Sequence, residues 1–462
     1  MENITYSVGS IALIDKINAK YDYFNRIFSN VFGKAKNTLP SVKLFINNRL
    51  EKCVSVNRLK RVYPKELFVH LNFKEIPSDR SLYREVIRVG RKFQFILERQ
   101  QRFTKEENLL SDKQFIDFSS SYFEGTSADL SCLGYSRDHR PDKKQITFGI
   151  SVGINNIPSA LTIQKGNVQD KQHFQFMLKT ASAVLDEESL LIFDCGANTA
   201  KNKQDIRERK FHYLTLKQKQ VSPYKKLIQE YLSGEKEEVE INEQVYQCVK
   251  VKDGEAVNYI FFSEELKKNQ LAIKKRRFEK ELGKNKSILN KTKKGKPLAE
   301  YQTEEGKVTA RGTLEKALAE IENPKITGIE GYFILQSSVD TQPKQILALY
   351  KDKDKAEKLI RSIKEGTEIR PIRHWADEAI LGYILIIFLT NFLINLTLWE
   401  AKNSEVKNVK LLKKYLNNLT LVVLYPPTGF KMEILANISP EIRSILGNYV
   451  DKYQNKTWEN RW

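Results

Sequence analysis

The sequence predicts an α/β protein: a mixed sheet flanked by helices, preceded by a helical N-terminal part and interrupted by a β-rich insertion. Three observations carry this. Between Lys113 and Leu216 runs of period-two apolar alternation and helical runs follow one another in the order β-β-β-α-β-α-β. Residues before about 108 read as basic helices, and hairpin chemistry returns around Asp253-Gly254. At 462 residues the chain is long enough to bury two or three cores.

Composition narrows the function classes. Lys and Arg number 77 against 57 Asp and Glu, a formal net charge of +20, which favours a polyanionic partner: nucleic acid first, an anionic membrane surface second. Cys53, Cys132, Cys195 and Cys248 form no C-x-x-C pair, and His70, His139, His173, His212 and His374 have no H-x-x-x-H spacing. A zinc site or disulfide framework is therefore not expected, and a reducing cytosol fits. The opening residues carry no basic stretch followed by an apolar one, so no signal peptide is expected. Ala379 to Trp399 is almost wholly apolar and long enough to span a bilayer. Asn391 and Asn395 are costly in lipid, so the segment reads as a helix buried in the core.

The elements follow in order. Basic segments such as Asn57-Arg-Leu-Lys-Arg-Val and Arg84-Glu-Val-Ile-Arg-Val-Gly-Arg-Lys mark a candidate DNA-binding head without a clear helix-turn-helix. Lys113–Tyr122, Gln145–Gly153 and Ser159–Gln164 read as strands, the last two joined by a tight turn at Asn155-Asn156, which predicts an antiparallel meander. A helix follows over Asp170–Leu185, then a strand at Ser189–Phe193, a helix at Ala200–Arg209 and a strand at Phe211–Leu216. Within the insertion, Glu238–Phe262 reads as a hairpin around Asp253-Gly254. Lys267 to Lys296 then holds thirteen Lys or Arg and only Glu279 and Glu281 as acids, an excess suited to phosphate.

Tyr350, Lys353, Glu357 and Lys364 are spaced so that, on one helix, they fall within roughly 60° of each other. That stripe sets a carboxylate among cations, beside an apolar stripe of Ala356, Leu359 and Ile363. A plain solvated helix with i,i+4 pairs such as Glu357 and Arg361 has the same pattern. Asp117 lies within the first strand and Asp194 ends the fourth, where strand ends border a crevice in an open sheet.

The strand order and these acids resemble a ribonuclease H-like fold. The chain is similar to the DDE transposases of prokaryotic insertion sequences, in the group with the Tyr-Arg-Glu-Lys (YREK) signature. The matching residues are Asp117 in Phe115-Ile-Asp-Phe-Ser-Ser-Ser-Tyr-Phe-Glu-Gly, Asp194 in Leu191-Ile-Phe-Asp-Cys-Gly, and Glu357 between Tyr350 and Lys364. Gly134-Tyr-Ser-Arg-Asp-His-Arg-Pro-Asp142, Gly166-Asn-Val-Gln-Asp170 and Glu368-Ile-Arg-Pro371 extend the match. Lys353 stands where the signature has Arg, losing the planar fork while keeping the charge.

The resemblance implies a helical DNA-binding domain at 1–108, a catalytic core at 109–217 and 329–400, a β-rich basic insertion at 218–328, and a C-terminal region at 401–462. It implies that Asp117, Asp194 and Glu357 are catalytic and hold two Mg²⁺ ions, with Mn²⁺ as a substitute and Asp117 as the bridging ligand. Tyr350, Lys353, Arg361, Lys364, Lys274, Lys275, Arg276 and Arg277 are expected to contact DNA. The expected partners are double-stranded DNA, as terminal inverted repeats and as target, and a second copy in the DNA complex; no membrane is expected, and the location is cytoplasmic and nucleoid-associated. The expected activity is metal-dependent cleavage followed by transfer of a 3′-OH end into target DNA. The alternatives are a ribonuclease H-like nuclease or resolvase without strand transfer, and a domesticated DNA-binding protein. Relatives with this insertion use a Trp to hold a flipped base. Here all four Trp lie outside it, so if a base is flipped either an aromatic such as Tyr259, Phe278 or Tyr301 stands in, or the mechanism differs.

Overall fold

A computed structural model of the chain describes residues 3–33, 35–125, 127–274, 276, 299–303, 306–310, 327–425 and 431–453. The chain forms two compact units. Unit 1 comprises Met1–Ile192, Gln204–Phe211 and Lys353–Trp462; unit 2 comprises Phe193–Lys203 and His212–Asp352. Both combine helices with a sheet.

In unit 1 the expected meander forms. β2 (Lys113–Tyr122), β3 (Gln145–Gly153) and β4 (Pro158–Lys165) pair antiparallel, and Asn156 takes the left-handed backbone that the tight turn needs. β5 (Leu190–Phe193) extends the sheet in the order β4-β3-β2-β5. Every residue of β3 is buried, because this strand is covered on both faces, so its alternating side chains are all enclosed. The helix after β4 is Asp170–Ala181, a turn shorter than its apolar pattern suggested. A second, small sheet was not expected: β1 (Ile4–Ser7) pairs antiparallel with β13 (Thr420–Leu424), which pairs with β14 (Met432–Ala436).

The apolar segment is a helix, Asp377–Glu400, and it lies in the core: 89% of its most apolar 18-residue window is buried. Its polar residues are satisfied internally. Thr390 and Thr397 donate to the carbonyls of Ile386 and Leu393 at 2.8 and 2.7 Å. Asn391 Nδ2 donates to Ile387 O at 2.9 Å and to Thr367 Oγ1 at 3.0 Å, and its Oδ1 accepts from Ser362 Oγ at 2.7 Å. Helix Asp79–Arg91 crosses it closely enough that a Cβ on Gly90 would overlap the Glu378 carbonyl, and one on Gly382 the Val86 carbonyl.

In unit 2, β6 (His212–Leu216) pairs antiparallel with β12 (Tyr332–Ser337), and β12 with β9 (Ala256–Phe262). β8 (Gln244–Asp253) and β7 (Glu237–Ile241) complete the order β6-β12-β9-β8-β7. The predicted hairpin is therefore two arms of a three-stranded meander. β8 and β9 turn at Gly254, which is left-handed, and β7 and β8 turn at Asn242-Glu243, both left-handed as a type I′ connection requires. An unpredicted helix, Val221–Ser233, packs Tyr224, Ile228 and Tyr231 on Val249, Ile260 and Ile334. β10 (Ala299–Thr303) and β11 (Gly306–Ala310) form a separate antiparallel pair.

Since two backbones meet at the crossing of Asp79–Arg91 and Asp377–Glu400, Gly382→Val should cost about 3 kcal/mol or more, as forced overpacking does. Chemical denaturation measures this, and a wild-type midpoint would contradict the close crossing.

Candidate active site

In unit 1, two of the three expected acids come under the influence of one ammonium, which pairs with Glu357 and acts electrostatically on Asp117. Asp117 stands mid-strand on β2, opposite Ile150 of β3, and its Oδ1 accepts from the Phe118 backbone N–H at 2.9 Å. Burial pushes its carboxyl up to about 6; Lys353, the Phe118 N–H and Arg137 pull the other way, and the negative charge of Glu357 adds to the rise. Lys353 Nζ bonds Glu357 Oε1 at 3.1 Å, with the Lys353 side chain only 9% exposed. The i,i+4 partner of Glu357 is thus Lys353 rather than Arg361.

The signature segment is not one helix. Helix Pro343–Lys351 ends in a turn at Asp352 and Lys353, helix Asp354–Arg361 carries Glu357, and a π-helical turn spans Ser362–Gly366. The wider turn leaves Ser362 bonded to Asn391 and Lys364 bonded to Asp138. Lys364 Nζ lies 2.8 Å from Asp138 Oδ1, the two side chains being 10% and 2% exposed, and Arg370 Nη1 reaches the same oxygen at 2.9 Å. Burial lowers the Lys364 ammonium below its usual range, against the pull of Asp138. One segment singled out in the sequence thus acts as a clamp: Asp138 holds Lys364 and Arg370, while its neighbour Arg137 gives Nη2 to both oxygens of Asp170, at 2.7 and 2.6 Å. Sequence reading picked out these residues without pairing them, because their partners lie 33 to 232 positions away.

In unit 2, Asp194 caps the short turn Cys195–Ala197. Its Oδ1 accepts from the Cys195 N–H at 2.8 Å and from the Tyr350 hydroxyl at 3.3 Å. The first signature residue therefore meets the fourth-strand acid. Lys274 pairs with Glu330, where burial opposes the charge but Lys274 and the Thr327 N–H and hydroxyl hold the carboxyl down to about 2. Arg276 is exposed; Lys275 and Arg277 lie outside the described residues. Tyr259, a candidate for base stacking, is buried with its hydroxyl on Thr341, so its ring is not available. Phe278 lies outside the described residues, as does the side chain of Tyr301.

Among the described residues of either unit, no group of three or more His, Cys, Asp or Glu side chains is arranged to hold a metal ion. The pair in unit 1 nevertheless suits a small oxygen-preferring divalent cation. Its donors are carboxylates, and for half-buried Asp117 the cost of desolvation outweighs the attraction of Lys353 and Arg137, which leaves its charge undercompensated.

No family model matches the chain, and no curated protein does. Among solved structures, the chain is similar to a piggyBac transposase synaptic complex with hairpin DNA, at a TM-score of 0.44 and 11% identity over 88% of this chain and 76% of that one.

Two outcomes follow from this geometry. The folded Asp117 carboxyl keeps its proton to a higher pH than in the unfolded chain, so its contribution to stability falls as pH rises from about 4 to about 6 and is fully unfavourable above that. In EDTA at pH 7.5, Asp117→Asn should therefore be more stable than wild type by about 1–3 kcal/mol, with the gain vanishing near pH 4. Equal pH profiles for the two proteins would contradict this. Asp138→Ala strands buried Lys364 and should cost about 3–5 kcal/mol in urea denaturation, whereas a surface pair would cost under about 1 kcal/mol.

Proposed function

We propose that the chain is a transposase of the DDE type with a ribonuclease H-like core, cutting DNA at element ends and joining the freed 3′-OH to target DNA. What supports the reading is that Lys353, paired with Glu357 at 3.1 Å, also acts electrostatically on Asp117, so that two carboxylates from distant segments share one electrostatic neighbourhood in a basic chain. Asp194 enters on the sequence resemblance. When bound, Mg²⁺ held by these carboxylates supplies Lewis-acid activation of the attacking oxygen and charge stabilisation at the leaving 3′ oxygen.

The chain's own residues have distinct parts in this reading. Asp117, deprotonated above about pH 6, provides the buried ligand charge. Lys353 holds Glu357 through its ammonium and lowers the cost of charging Asp117 before the cation arrives, and so preorganises the site. Tyr350 orients Asp194 through its hydroxyl. Lys364 supports the turn after the Glu357 helix from inside, through Asp138. Double-stranded DNA and a second copy of the chain are the proposed partners.

Asp117→Ala, Asp194→Ala and Glu357→Ala should each lower Mg²⁺-dependent cleavage of an element-end duplex by at least about 10³-fold, with end binding largely kept. Full cleavage by any of the three would sink the assignment. Joining of a pre-cut 3′-OH end to plasmid DNA separates this reading from a nuclease or resolvase, which joins nothing.

A further inference from the structure

The helix that carries Glu357 has a second working flank. While Glu357 turns to Lys353, the residues Lys355, Lys358, Leu359, Arg361 and Ser362 line a cavity of about 760 Å³ within unit 1. Its other walls are the turn Glu51–Cys53, the end of the long helix at Asn395 and Leu398, and the start of helix Val409–Asn418. Seven Lys or Arg line it against three Glu, a formal excess of four positive charges.

The cations divide into three sets. Lys355, Lys407 and Lys413 donate to backbone carbonyls, Lys413 bridging Arg49 O at 2.9 Å and Gly366 O at 2.7 Å, which builds the walls; Lys52 pairs with Glu51 and Lys358 with Asp354. Arg361 and Lys410 are exposed and, among the described residues, make no hydrogen bond or ion pair. Of the acids, Glu51 lies 3.6 Å from Lys52 and Glu365 3.3 Å from Arg370. Leu359, Leu398 and Val409 give apolar wall between the charges.

We infer that this groove binds the phosphate backbone of a nucleic-acid strand, with Arg361 and Lys410 on phosphates and sugars or bases against the apolar wall. The cations come from three separate segments, at Lys52, Lys355–Arg361 and Lys407–Lys413, around a cavity of about 760 Å³, which suits a repeating polyanion better than a single small anion. A helix is only about 10–12 Å across, so a strand held at Glu357 can lay neighbouring phosphates on the far flank of the same helix. This inference rests on the nucleic-acid reading above and extends it to a surface away from the acids.

The test uses the full chain and a fluorescent random-sequence duplex titrated across a salt series. Arg361→Ala with Lys410→Ala should weaken binding and make the slope of log K against log salt shallower by about 1.8, at about 0.9 per phosphate, with unchanged thermal melting. Arg361→Lys with Lys410→Arg should restore the slope. An unchanged slope and affinity in the double alanine variant overturns the groove and leaves the nucleic-acid reading standing. Absence of salt-dependent duplex binding by wild type overturns that reading itself. Micromolar binding of inorganic tripolyphosphate that is lost in the variant while duplex binding stays intact assigns the groove to a small anion and overturns the inference, as would equal loss of poly-glutamate binding.

Discussion

Unit 1 is organised by the need to cover the helix Asp377–Glu400 on all sides. An apolar segment of that length in water must be enclosed, and the enclosure is assembled from distant parts of the chain: Asp79–Arg91 through its glycine crossing, Thr38–Leu50, and β4. The asparagines that make the segment unsuited to lipid are what join it to the candidate site. Asn391 binds Ser362 and Thr367, so the turn that follows the Glu357 helix is fixed by a polar contact inside an otherwise apolar helix. The position of Glu357 thus depends on a core that it does not touch.

A second constraint concerns where the positive charge goes. The chain has 20 more basic than acidic side chains, yet several cations in the segments that drew attention turn inward. Lys364 is held by Asp138, Lys353 by Glu357 and Lys274 by Glu330. A buried ion pair such as Lys364–Asp138 adds little net stability, but losing one partner is costly, so it fixes geometry more than it strengthens the fold. Positive charge left outside is then concentrated on other faces, among them the flank of the Glu357 helix with Arg361 and Lys410.

The three-stranded meander was legible because period-two alternation and an Asn-Asn turn are local signals, and they predict β2, β3 and β4 nearly to the residue. Helix Val221–Ser233 was missed, since its buried face is three tyrosine and isoleucine positions in a polar, Lys-rich run. The signature segment was misread as one continuous helix. Its residues favour helix throughout, and the π-helical turn at Ser362 is tied to Asn391, a partner 29 residues along the chain.

By itself, the sequence determined the class of elements, the central strands, the apolar helix and the net charge, because periodicity and composition act over a few residues. Only the tertiary structure decided which charges meet. That Lys353 pairs with Glu357 and acts on Asp117, that Asp138 takes Lys364 and Arg370, and that Tyr350 finds Asp194 are interactions mostly separated by more than a hundred residues. Burial then sets their strength: the same carboxylate that would titrate near 4 in water is held up to about 6 at Asp117, because its surroundings stabilise the charge less well than water does.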